Sequence, residues 1–157
     1  PFNTYGPRSH FAGPYGEVIP RFMIRVKAGK EPLIFGDGTQ TRDFTFVADT
    51  AAALIEAAQC DALLGSTINL ARGQAVSILD IGKMISKLGH SKDTPLHIEK
   101  RPGDIQWLAA DTSKARKLLG NFAPTSIEDG LTKYWDWLGS TGIDFEAASL
   151  ALKERNW

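Results

Sequence analysis

Apolar residues recur at spacings of three and four in several parts of the chain, which is the pattern of a helix with one buried face. This pattern predicts a helix over residues 17–29, with Pro20 tolerated in its first turn and Gly29 just beyond its end. A second such stripe follows Ser77, a residue type that favours the N-cap position. The remaining predicted helices are 49–58, alanine-rich, expected to be buried and capped by Asp49, then 111–119, 126–138 and 145–155.

Runs of apolar and β-branched residues are short and far apart. They predict a strand at 32–35 running into a glycine turn, β structure toward the end of 40–47, and strands at 66–70 and 96–99. Residues 1–16 are rich in glycine and proline, which indicates an irregular loop. The fold class is therefore α/β with helices outnumbering strands. The strands are too few for a complete sheet, so we expect part of a sheet to be missing.

Composition excludes several classes of protein. The chain has 157 residues, enough for one ordinary domain with its own core. Lysine plus arginine and aspartate plus glutamate each total 18, so the formal net charge is zero. This balance argues against a nucleic-acid-binding module and against an anionic membrane surface as partner. No apolar run approaches the roughly 20 residues of a membrane span.

The single cysteine and the first residues of the chain indicate the cellular compartment that we expect. Cys60 has no partner for an intrachain disulfide, which favours a reducing compartment, and we expect a cytoplasmic protein. The first residues lack the basic and apolar regions of a signal peptide. Because residue 1 is proline, we expect either a processed chain or a piece of a longer one.

Several well-known chemical motifs are absent from the sequence. It contains no glycine-rich strand-to-helix turn for a dinucleotide, no P-loop, no H-E-x-x-H and no C-x-x-C. The histidines show no ligand spacing, and Cys60 has no cationic neighbour that would activate it. The sequence therefore predicts neither a metal site nor a catalytic residue.

Two arginines, each beside a carboxylate in a turn, are the candidates for binding chemistry. Arg42 follows the turn Gly-Asp-Gly, and Arg101 opens Arg-Pro-Gly-Asp, which ends at Asp104. If both converged on one site, their guanidinium groups would clamp a diphosphate. The alternative is a hairpin with an internal contact between Arg42 and Asp43, plus an exposed Arg101. Asn3 is either a phosphate-binding amide or an ordinary loop residue.

Seven ordered motifs together resemble one family. They are 1–8 (PFNTYGPR), 18–22 (VIPRF), 36–44 (GDGTQTRDF) with Val47 and Asp49, 68–70 (INL), the helix after Ser77, 101–104 (RPGD) and 111–115 (DTSKA). This order resembles the extended short-chain dehydrogenases/reductases, specifically the NAD-dependent nucleotide-sugar epimerases, dehydratases and decarboxylases. The resemblance covers about residues 1–138.

The resemblance implies the C-terminal, substrate-binding lobe of an NAD(P)-binding Rossmann-fold enzyme. In this family the glycine-rich NAD turn and the Tyr-x-x-x-Lys catalytic pair precede the matching segment. Both are absent here, since Tyr5, Tyr15 and Tyr134 have no lysine four residues later. We therefore expect a lobe that is incomplete without the Rossmann sheet and binds no NAD by itself. Its boundaries would be 1–139, with 140–157 as a helical C-terminal tail.

The resemblance also implies roles for individual residues. Asn3, Arg42 and Arg101 match residues that hold the diphosphate, and Asp104 matches a carboxylate near the ribose. Phe2 matches a position near the nicotinamide. The residues matching the walls around the nucleotide and its base are Val18, Phe22, Leu33 and Phe35.

The function implied is binding of a UDP- or dTDP-sugar within an enzyme that oxidises the sugar at C4 with NAD. Alone, the chain is expected to be non-catalytic. The alternative is a free-standing, non-catalytic module that pairs with a separate Rossmann half or with itself, because a lobe cut from its sheet exposes strand edges and apolar surface. We expect a homodimer or an association with a Rossmann half.

Overall fold

A computed structural model of the chain describes residues 1–13, 16–91 and 94–152. Its α-helices are α1 (Val18–Lys27), α2 (Val47–Ala58), α3 (Ile78–Leu88), α4 (Ser113–Leu119), α5 (Ile127–Gly139) and α6 (Phe145–Ala151). Its strands are β1 (Thr4–Tyr5), β2 (Leu33–Phe35), β3 (Thr41–Arg42), β4 (Thr45–Phe46), β5 (Val76–Ser77), β6 (Leu96–Ile98) and β7 (Trp107–Leu108). The chain is therefore an α/β protein with short strands. The expectation that helices outnumber strands was wrong for the described residues, which contain seven strands and six α-helices, because two-residue strands leave little pattern in the sequence.

The strands form three small sheets within the described residues. Strand β1 pairs with β4 and β2 pairs with β6, both in parallel. Strand β3 lies between β5, which is antiparallel to it, and β7, which is parallel. The β3–β7 pairing aligns Arg42 with Leu108 and so brings the Arg101 loop close to β3.

Helix α1 lies at the centre of the main core, where it packs against α3 and α6. Its residues Met23 and Ile24 are fully buried, as are Ile34 of β2 and Ile81 and Ile85 of α3. A smaller cluster lies under α2 and α4. Burial of this kind stabilises by about 25 cal/mol per Å² of apolar surface, so the elements around α1 form a rigid support.

The helix-end signals at Ser77, Ser126 and Gly29 are confirmed. Ser77 accepts a hydrogen bond from the backbone N–H of Asp80, and Ser126 accepts one from Asp129, both at 3.0 Å. Gly29 lies just past α1 with φ of 73°, a left-handed conformation that glycine adopts at low cost.

The expectations for helix 49–58 were wrong in two respects. The helix begins at Val47, so Asp49 lies within its first turn, and its carboxylate accepts hydrogen bonds from the N–H and hydroxyl of Thr125 instead of capping. The helix is also largely exposed, with Leu54 at 49% and Ile55 at 62%. An alanine-rich pattern shows that a helix can be buried, but not what covers it.

Three expectations about extended structure also need correction. Residues 66–70 form no strand, although the Leu70 carbonyl accepts the N–H of Phe2 at 2.9 Å. The expected loop at 1–16 contains β1, and its residues 14 and 15 lie outside the described part. Neither β5 nor β7 was predicted, because a two-residue strand is defined by its partner and not by its own pattern.

The chain's last described helix is α6, which ends at Ala151, before the predicted end at residue 155. Residues 153–155 of that prediction lie outside the described residues. Leu152 joins the main core, and α6 packs on α1. In the described part of the chain, no helix combines the length and the apolar character needed to cross a membrane.

Candidate functional site

A cavity of about 460 Å³ opens between α1, β2, β3 and the loop that carries Arg101. It is lined by all eight residues for which the sequence predicted substrate contacts: Asn3, Val18, Phe22, Leu33, Phe35, Arg42, Arg101 and Asp104. The structure thus brings these residues to one place. Whether they bind the groups expected of them stays a prediction.

The apolar wall follows from the periodicity of two elements. Val18 and Phe22 are one helical turn apart on α1, so they share a face. Leu33 and Phe35 are two residues apart on β2, so they point to the same side of that strand. Because α1 and β2 belong to the buried core, this wall is preformed.

The guanidinium of Arg42 is held by three short hydrogen bonds. Its Nη1 donates to the carbonyl oxygens of Thr41 at 2.7 Å and Ile105 at 2.6 Å. Its Nη2 forms an ion pair with Oδ1 of Asp104 at 2.6 Å. The alternative of a hairpin contact between Arg42 and Asp43 is wrong, because Arg42 pairs with Asp104 while Asp43 accepts from Gly73 and Ala110. A guanidinium carries five N–H donors, so two remain beyond these bonds, enough for an anion.

Asp43, next to Arg42 in the chain, binds backbone groups instead of the guanidinium. It is fully buried, and its Oδ2 accepts the backbone N–H groups of Gly73 at 3.0 Å and Ala110 at 3.3 Å. Its own carbonyl accepts the side-chain N–H of Asn3 at 3.1 Å. Asn3 has a positive φ of 33°, a conformation asparagine tolerates better than most residues. Asp43 therefore helps to hold Asn3 at the cavity.

Sequence reasoning missed two further arginines on α1. Arg21 and Arg25 are one turn apart and both line the cavity. Burial, followed by the neighbouring positive charges of Arg25 and Arg101, lowers the pKa of Arg21. The helical spacing from Val18 could have found them. Among the described lining residues, four arginines face two carboxylates, Glu17 and Asp104, so the cavity favours an anionic ligand.

Gln40 is a third residue that the sequence analysis did not single out. It precedes β3 and is 8% exposed. Its amide donates to the Phe35 carbonyl at 3.0 Å and to Oδ2 of Asp104 at 3.2 Å. It therefore links the apolar wall to the Arg42–Asp104 ion pair.

Phe2 is not brought to the cavity. It is half-buried, it is absent from the described lining, and its N–H bonds to Leu70. Helices α2 and α3 directly follow strands, and the junction residues are Phe46 and Ser77, where a dinucleotide-binding turn carries glycine. That this chain binds no NAD by itself stays a prediction.

The described part of the chain is thus an α/β fold in which a cationic patch faces an apolar wall. The sequence profile of the GDP-mannose 4,6 dehydratase family matches residues 1–134. The chain belongs to this family of NAD-dependent short-chain dehydrogenase/reductase-type nucleotide-sugar epimerases and dehydratases, and it matches their C-terminal half. NAD is the cofactor of the family's full-length enzymes.

Individual relatives agree with this assignment. UDP-N-acetyl-alpha-D-glucosaminuronate decarboxylase of Bacillus cytotoxicus is 34% identical over 142 residues, which cover 87% of this chain and 44% of that protein. UDP-N-acetylglucosamine 4-epimerase from Methanobrevibacter ruminantium M1, solved with UDP-N-acetylmuramic acid, has 34% identity and a TM-score of 0.81, covering 88% and 44%.

A third relative was solved with both of its ligands. UDP-glucuronic acid 4-epimerase from Bacillus cereus, in complex with UDP-glucuronic acid and NAD, has 34% identity and a TM-score of 0.78. The match covers 88% of this chain and 43% of that one. The chain thus spans less than half the length of these relatives.

Proposed function

We propose that this chain is the nucleotide-sugar-binding portion of an NAD-dependent epimerase or dehydratase that acts through oxidation at C4 of a UDP- or dTDP-sugar. One observation carries the proposal: Arg42 and Arg101, far apart in sequence, line the same cavity opposite an apolar wall. A nucleotide sugar has a charged diphosphate joined through a ribose to a flat base, and the cationic patch and the apolar wall suit these two ends.

Each part of the ligand has a counterpart in the cavity. The two arginines and Asn3 hold the diphosphate, with Arg42 using the donors that Asp104 and the carbonyl groups leave available. The base lies against the apolar wall defined above. Asp104 lies beside Arg42 and accepts from the ribose.

The chain binds and orients the substrate, and the oxidation depends on groups outside it. NAD, when bound to the full-length enzyme, accepts the hydride. Tyr5 does not serve as a tyrosinate base, because burial raises its pKa and its hydroxyl donates to the Ile127 carbonyl at 3.4 Å. No residue of this chain is assigned a catalytic role, and binding of NAD is assigned to the full-length enzyme.

The proposal divides the chain at residue 139, with 1–139 as the binding part and 140–157 as a C-terminal tail. A cytoplasmic location belongs to the proposal, since Cys60 is the sole cysteine and nucleotide sugars supply biosynthetic reactions.

The arginine clamp is tested by calorimetric titration with UDP-glucose. Arg42→Ala and Arg101→Ala should each weaken binding by about 1.5–3 kcal/mol, the range for hydrogen bonds to charged groups. Lys83→Ala is the control, because this exposed cation on α3 does not line the cavity. Unchanged affinity in either arginine variant removes that residue from the clamp.

The division of labour is tested by turnover. The purified chain, supplied with NAD and UDP-glucose, should form no NADH and no altered sugar nucleotide. Turnover by the chain alone would contradict its role as a binding portion.

The alternative function, a module that associates with a Rossmann half or with itself, is favoured by the outer surface of α2. Ala51, Leu54, Ile55 and Ala58 form an apolar stripe along this helix, and all four are exposed. Strands β1 and β4 form a two-residue parallel pair, whereas parallel sheets are normally larger and covered on both faces. These features support a lobe that docks on further structure.

A further inference from the structure

We propose that Gln40 is a positioning residue that keeps Arg42 available to the diphosphate by occupying one oxygen of Asp104. The inference rests on the proposed function. It concerns how the same cavity distinguishes a charged diphosphate from an uncharged nucleoside.

Gln40 is fully committed to two acceptors. A side-chain amide has two N–H donors, and those of Gln40 reach the Phe35 carbonyl and Oδ2 of Asp104. Phe35 ends β2 directly after the fully buried Ile34, so the first bond anchors the amide to a strand of the core. The second bond then sets the orientation of the Asp104 carboxylate.

That orientation determines how Asp104 meets Arg42. An arginine and a carboxylate frequently pair through two parallel N–H···O bonds, because their planar groups match. Here Arg42 reaches Oδ1 at 2.6 Å, while Oδ2 is held by Gln40 at 3.2 Å. The pair is therefore one-sided, and the Nε–H and one Nη2–H of Arg42 carry no bond to the described residues.

Loss of the amide would change this balance. Without a donor on Oδ2, the carboxylate of Asp104 can rotate and pair with Arg42 through both oxygens. The donors meant for the diphosphate would then be occupied. Asp104 and Arg42 are each 17% exposed, so solvent screens this competition only partly. Uridine has no phosphate, so its affinity should not depend on the free donors of Arg42.

The test compares UDP with uridine by NMR titration of the 157-residue chain. Gln40→Met, which keeps side-chain length without the donors, should lower the ratio of UDP to uridine affinity about tenfold, with uridine affinity changed less than about twofold. The same substitution is also made in the Asp104→Asn variant. There it should change the ratio of UDP to uridine affinity less than about twofold relative to Asp104→Asn alone, because no carboxylate remains to compete for Arg42.

Gln106→Met is the matched control, since its amide donates to Thr39 at 2.9 Å without touching Asp104, and the ratio should stay unchanged. Gln40→Leu replaces Gln40→Met if melting curves show that the latter does not fold. Equal losses of UDP and uridine affinity, or an unchanged ratio, overturn the inference. A parent chain that binds no UDP overturns the proposed function as well, which separates the two failures.

Discussion

Two buried tyrosines show how single residues tie stability to pH. Tyr134 of α5 is 1% exposed, and burial raises its pKa from 10.0 to about 12. Burial raises the pKa of Tyr5 in the same direction. Since the folded state holds these protons more tightly than the unfolded chain, their contribution is complete below pH 10 and is lost as pH rises toward 12.

We therefore predict that Tyr134→Phe flattens the alkaline part of the stability profile. The free energy of unfolding of the parent chain should fall by about 2 kcal/mol more than that of the variant between pH 10 and 12. Urea unfolding followed by circular dichroism measures this difference. Identical slopes above pH 10 would show that Tyr134 titrates normally in the folded chain.

At the scale of elements, the contact between α5 and β1 depends on one glycine. A Cβ at Gly130 would overlap the hydroxyl and ring of Tyr5 and would lie 3.3 Å from Phe46 of β4. The helix can approach the two strands this closely only because position 130 has no side chain. Helix propensity alone would favour alanine there by about 1 kcal/mol.

Gly130→Ala should therefore destabilise the chain by about 1–3 kcal/mol, the cost of overpacking a core. Tyr5→Phe in the same background should recover part of this loss, since it removes the overlapping oxygen. Gly139→Ala, later in α5, is the control because its Cβ would meet only the flexible end of Lys27. Thermal unfolding ranks the three variants, and a stabilising Gly130→Ala would refute the steric argument.

For the whole molecule, the apolar stripe of α2 predicts association. A soluble helix normally turns its large apolar residues toward the core, yet Leu54 and Ile55 are 49% and 62% exposed. Leu64, which follows the helix, is 81% exposed. Exposed apolar side chains of this kind favour contact with a second copy or with a further part of a larger protein.

Sedimentation velocity should show concentration-dependent self-association of the chain. The charge-neutral pair Leu54→Glu and Ile55→Lys should shift the association to concentrations at least about tenfold higher, since a charged pair replaces buried apolar area. Leu150→Glu is the matched control, because Leu150 is 74% exposed on α6, away from this stripe. A parent chain that stays monomeric throughout would contradict the prediction.

Much of the helical structure was predictable, as were strands β2 and β6, but the pairing of strands into sheets was not. The signals at Ser77, Ser126 and Gly29 lie within a few residues of the helix ends that they define, so they can be read locally. Strand β3 instead owes its existence to β5 and β7, more than thirty residues away. Residues 66–70 are β-like in composition but pair with no strand among the described residues, so their local pattern was misleading.

The sequence by itself determined most of the helices, because caps and apolar periodicity are properties of neighbouring residues, and its resemblance to one family indicated eight of the residues around the cavity. Only the tertiary structure decided that Arg42 pairs with Asp104 and not with Asp43, that Gln40 joins them, and that Arg21 and Arg25 add positive charge. It also decided that the stripe of α2 faces outward. These features depend on which distant segments meet, and no local pattern specifies that.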